Sequence, residues 1–88
     1  MLTLTLYSRS GCCLCDEMKA VLEQVQHDTP FTLEQVDIAS DPELESCFGQ
    51  EIPVLFVDGR KAFKYRLTAR ELRRRLARER PAFWRRIL

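Results

Sequence analysis

The 88-residue chain has no apolar run approaching the ~20 residues that a membrane-spanning helix needs, so no helical anchor is expected in it. It lacks a basic N-terminal stretch followed by an apolar segment. No secretory leader is therefore expected, and the expected location is cytoplasmic, where thiols stay reduced. There is one histidine, His27, and one Cys-x-x-Cys pair among four cysteines. Such a pair is half of a structural zinc site, and neither a second pair nor a Cys/His cluster completes it. No internal repeat, low-complexity stretch or linker divides the chain, whose length suits one modest core rather than two. No nucleic-acid motif or aromatic stacking platform is present either, so nucleic acid is not an expected partner.

The composition, 45% hydrophobic and 31% charged, is ordinary for a globular chain. The net charge of +1 conceals a division. Residues 1–59 carry 2 Lys+Arg against 11 Asp+Glu, and residues 60–88 carry 12 against 2, so the chain is about −9 in front and +10 behind. A solvated basic helix whose arginines pair with the acidic half accounts for this, and so does a face for anionic partners.

Residues 2–7, Leu-Thr-Leu-Thr-Leu-Tyr, alternate as a strand does, and Arg9-Ser10-Gly11 reads as a loop. From Leu14 the apolar positions Met18, Val21, Leu22 and Val25 recur at helical spacing, predicting a helix to about Gln26. Residues 31–37 form a second expected strand, with Phe31 and Leu33 on one face. Asp41-Pro42-Glu43 opens a short second helix that ends by Gly49. The apolar run 53–57 predicts a buried strand, Asp58-Gly59 a mirror-image hairpin turn, and residues 60–65 the returning strand. Thr68-Ala69-Arg70-Glu71 fits a capping box opening a last helix, with Leu72 and Leu76 inward and Pro81 ending or kinking it. The order β-α-β-α-β-β-α predicts a three-layer α/β domain. Strands one and two are parallel, a hairpin joins the same sheet, and helices cover both faces.

Cys12 and Cys15 fall at the strand-to-helix junction. Three positions apart in a first helical turn, they can reach each other, and the unpaired N–H groups and positive helix pole there favour a thiolate. A thiolate beside a partner thiol is equipped for disulfide exchange. Cys12 is the expected nucleophile and Cys15 the resolving thiol, with Arg9 adding positive potential. Asp16 is expected to cap the helix start while opposing thiol ionisation. Cys13 should point away from Cys15 as a spectator, Cys47 should pack on the second helix, and His27 should be a surface residue near a helix end.

Tyr7-Ser8 with Gly11-Cys12-x-x-Cys15, and Glu51-Ile52-Pro53-Val54-Leu55-Phe56-Val57-Asp58-Gly59, resemble the glutaredoxin-like branch of the thioredoxin fold. Asp37-Ile38, Asp41-Pro42-Glu43-Leu44 and Gly49 are similar to a subgroup of short bacterial glutaredoxin-like proteins of uncertain function. The resemblance covers about Leu4 to Leu76 and implies a thioredoxin-like fold; the domain is expected over residues 1–80, and residues 81–88 are expected to be a basic and aromatic extension packing on the domain or a partner. It also implies a thiol–disulfide oxidoreductase with a redox-active disulfide and a cis Pro53. There the Ile52 backbone lies beside the nucleophile, so Arg9, Ile52 and Pro53 are the implied substrate contacts. No tightly bound cofactor is implied. The implied partners are a disulfide-containing protein or a small thiol, with glutathione as an admissible co-substrate. Where glutaredoxins carry a Gly-Gly turn and an acidic pair, this chain has Phe63-Lys64-Tyr65-Arg66-Leu67-Thr68.

Two rival readings remain at this stage. Cys12, Cys13, Cys15 and Cys47 could hold zinc, or an iron–sulfur cluster shared between two chains. Alternatively the protein is a non-catalytic binding module. In that case Arg70, Arg73, Arg74, Arg78, Arg85 and Arg86 meet phosphates, and Phe83, Trp84, Ile87 and Leu88 cover the core or anchor a partner.

Overall fold

A computed structural model describes residues 2–78. The expectations on Pro81 and on the 81–88 extension lie outside the described residues. Eight elements follow one another: β1 (Thr3–Ser8), α1 (Cys13–Gln26), β2 (Thr32–Asp37), a 3-10 turn (Ile38–Ser40), α2 (Pro42–Phe48), β3 (Val54–Val57), β4 (Arg60–Lys64) and α3 (Ala69–Arg78). The sheet order is β2-β1-β3-β4. β1 runs parallel to β2 and antiparallel to β3, and β4 pairs antiparallel with β3. The expected βαβαββα order and mixed four-stranded sheet are therefore present.

Alternation along the central strands divides the core. Leu4, Leu6, Leu55 and Val57 point to one face and meet Met18, Leu22 and Val25 of α1 and Leu72 and Leu76 of α3, all buried. On the opposite face Tyr7, Phe48 and Phe56 pack their rings together, with centroids 4.7 to 5.8 Å apart. These rings seat α2 against the sheet. Leu44 and Phe48, one turn apart, are the half-buried residues of that two-turn helix, and none of its residues is fully buried. This corrects the expectation for Cys47, which is exposed because it lies off the Leu44–Phe48 stripe.

Local chemistry sets the element ends. Asp58 (φ 49°) and Gly59 (φ 82°) both take positive φ, as a mirror-image hairpin turn requires. At α3 the Thr68 hydroxyl accepts from the Glu71 N–H at 3.1 Å, while Glu71 Oε1 accepts from the Thr68 N–H at 3.1 Å, completing the capping box. β4 stops at Lys64, one residue short of expectation, because Tyr65 turns left-handed with φ 69°.

Register fixes which loops share an end of the sheet. Tyr7 on β1 faces Val54 on β3, and Val54 faces Lys64 on β4. The exits of β1 and β4 and the entry to β3 thus lie in one row, opposite the hairpin turn. Adjacent strands in such a row are about 4.8 Å apart.

Candidate active site

The row of strand ends places the cysteine loop, the Ile52–Pro53 segment and the turn at Tyr65 side by side. Gly11, at φ 80°, takes a left-handed conformation that lets the chain turn between β1 and α1. Cys12 is the N-cap of α1, and its Sγ accepts from the Cys15 N–H at 3.2 Å. The sulfur thus fills the place that a serine or aspartate oxygen usually takes, satisfying one of the helix's unpaired donors. Asp16 does not cap the helix, contrary to expectation. It stands in the first turn, and its N–H donates to the Cys12 carbonyl at 3.1 Å.

The two cysteines differ in environment. Cys12 is half-buried and Cys15 is 4% exposed. Burial pushes the Cys15 thiol from its ordinary 9.0 up to about 11, helped by a side-chain hydrogen bond with Cys12 and by the charges of Cys12 and Asp16. A hydrogen bond with the Arg9 backbone pulls the other way. The pair is a dithiol here, with Cys12 toward the surface and Cys15 beneath it. Cys13 is exposed, and so is His27, the C-cap residue of α1 at the opposite end of that helix. Among the described residues no three His, Cys, Asp or Glu side chains gather as a metal site.

Arg9 lies on the cysteine loop, but its guanidinium pairs with Glu45 of α2. The pair ties the loop to the helix on the other face of the sheet and offsets the positive potential expected of Arg9. The sequence pattern did not single out Glu45, because the proximity comes from α2 folding back over the sheet.

The Ile52–Pro53 peptide is cis. Around it, Glu51 N–H donates to the Phe48 carbonyl (2.8 Å), and the Pro53 carbonyl accepts from the Tyr65 N–H (2.9 Å). The Gln50 carbonyl accepts from the Tyr65 hydroxyl (3.3 Å). Lys61 and Lys64 of β4 bind the Glu51 carboxylate at 2.9 and 3.2 Å, and these hydrogen bonds hold it below the usual carboxylate range. Between these anchored neighbours, the N–H and C=O of half-buried Ile52 have no hydrogen-bond partner among the described residues.

A family model for the Glutaredoxin-like domain (DUF836) matches residues 3–77. The chain belongs to this family. The glutaredoxin-like domain is also similar to solved structures. The structural-genomics target protein XcR50 from X. campestris is 35% identical, with a TM-score of 0.75 over 88% of this chain and 99% of that one. Protein Ne2328 from Nitrosomonas europaea is 30% identical, with a TM-score of 0.73 over 84% and 89%. Desulfothioredoxin from Desulfovibrio vulgaris Hildenborough, in its reduced form, is 28% identical, with a TM-score of 0.68 over 88% and 80%. The fold is thioredoxin-like, and the glutaredoxin-like domain carries its Cys-x-x-Cys pair at the start of α1. No helix among the described residues is long and apolar enough to cross a membrane.

Proposed function

We propose that this protein is a thiol–disulfide oxidoreductase in which Cys12 is the nucleophile and Cys15 the resolving thiol. The observation that carries this reading is the asymmetric pairing of the two sulfurs. Cys12 Sγ sits at the helix N-cap and accepts the Cys15 N–H, while the Cys15 thiol is buried and hydrogen-bonded to Cys12. The Cys15 N–H, at the positive helix pole, is aimed at the Cys12 sulfur, and burial keeps Cys15 protonated until it is needed.

In the first step the Cys12 thiolate attacks one sulfur of a substrate disulfide. The substrate S–S bond breaks, a Cys12–substrate disulfide forms, and the departing thiolate takes a proton. Cys12 then carries no charge, so the charge of Cys12 that helps hold the Cys15 proton is gone. Cys15 loses that proton to solvent or to the departing group, and its thiolate attacks the Cys12 sulfur. The second substrate thiol leaves and a Cys12–Cys15 disulfide remains. An external thiol, glutathione included, restores the dithiol by the reverse exchange.

Ile52 and Pro53 support the same reading. The unpaired N–H and C=O of Ile52 lie at the sheet end that carries the cysteine loop, where an extended segment flanking a substrate disulfide could pair with them. For Arg9 the reading assigns a structural tie through Glu45 in addition to any substrate contact.

The test is mass mapping in a redox buffer. Wild type is expected to form a Cys12–Cys15 bridge. Cys15→Ser should accumulate a mixed disulfide on residue 12, and Cys12→Ser should lose exchange activity by at least a hundredfold. Adducts confined to the exposed Cys13 or Cys47 would contradict the assignment.

A further inference from the structure

The turn after β4 holds a residue in the wrong backbone region for its side chain. Tyr65 has φ 69°, and the Arg66 N–H bonds to the Lys64 carbonyl at 2.8 Å, two residues back. This is a γ-turn with positive central φ, a rare and strained form, and an aromatic residue has no local reason to adopt it. Glycine would take it without strain. The strain is over-determined by contacts on a single neighbour. The backbone N–H of Tyr65 bonds to the Pro53 carbonyl and its hydroxyl to the Gln50 carbonyl, so one residue grips both ends of the segment 50–53. Lys64 lies 5.4 Å from the ring centroid and reaches Glu51 within the same segment. Tyr65 is nevertheless 43% exposed, so core packing does not explain the cost.

We propose that Tyr65 is a positioning residue that holds the Gln50–Pro53 segment so that the free Ile52 N–H and C=O receive an extended polypeptide carrying the substrate disulfide. This rests on the redox reading above and specifies its substrate class. Backbone strain kept at a site edge by contacts to one loop is strain maintained for that loop's geometry. A peptide disulfide should be favoured over a disulfide without amide groups, because only the peptide has a backbone to pair with Ile52.

The experiment compares Tyr65→Phe and Tyr65→Gly with wild type on a peptide disulfide and on 2-hydroxyethyl disulfide, and follows Glu51 N–H exchange by NMR. Tyr65→Phe loses only the Gln50 bond. Its KM for the peptide should rise about fivefold, the loss of one ordinary hydrogen bond, with kcat and the small-disulfide KM unchanged and Glu51 exchange faster. Tyr65→Gly should show at least the same KM defect with a Tm no lower than wild type. An unchanged peptide KM in both variants, or equal defects on both substrates, overturns the proposal. If wild type turns over neither disulfide, the redox reading fails separately. The holding role is then decided by Glu51 exchange alone, and unchanged exchange in Tyr65→Phe overturns it.

Discussion

Cys15 shows how a single residue's surroundings set its chemistry. The residue is 4% exposed, and burial is the largest cause pushing its thiol up to about 11. Above the ordinary value of 9.0 the unfolded chain releases this proton while the folded chain keeps it. The folded state then holds more protons than the unfolded one, so stability falls as pH rises through that window. Reduced wild type should lose melting temperature between about pH 9 and about 11, more steeply than Cys15→Ser, and thermal melts at stepped pH measure this. The same burial means that iodoacetamide at neutral pH should label Cys12, Cys13 and Cys47 well before Cys15, as peptide mass mapping would reveal. The Cys-x-x-Cys spacing announced the pair. The cap donated by Cys12 and the neutralising partner of Arg9 were not legible, since both depend on where neighbouring backbone and α2 come to rest.

Among the elements, α3 owes its start to a local device. Thr68 and Glu71 exchange hydrogen bonds that satisfy N–H groups the helix cannot satisfy itself. Thr68→Ala should cost about 1 kcal/mol, read as a drop of about 4–8 °C in melting temperature for a domain of this size. Such devices lie within four residues of sequence, which is why the capping box, the Asp58-Gly59 turn and the Asp41-Pro42 helix start could be read directly. The end of β4 could not. Nothing between Phe63 and Thr68 signals a left-handed tyrosine, because Tyr65 is held by Pro53 and Gln50, residues more than ten positions away.

At the scale of the molecule, much of the stability comes from the cluster that β1, β3, α1 and α3 share. Leu22 is fully buried there with Leu4, Leu55 and Leu72. Leu22→Ala should cost about 2–5 kcal/mol, a large part of the roughly 5–15 kcal/mol typical of a domain, and urea unfolding would measure the loss. The ion pairs between the acidic front and basic rear are exposed, Arg73 with Asp28 among them. Surface pairs of this kind contribute little each, so the charge division tells more about the outer face than about folding.

Periodicity, turn residues and caps act over a few positions, and on that basis the sequence alone settled the element order, the inward faces of α1 and α3, and the place of the cysteine pair. Only the folded chain decided that Glu45 meets Arg9, that Cys47 stays outside, that the Ile52 backbone groups find no partner among the described residues and that Tyr65 grips its segment. Each of these joins residues that are distant along the chain and brought together by strand register and by helices folded back across a sheet, which no local pattern encodes.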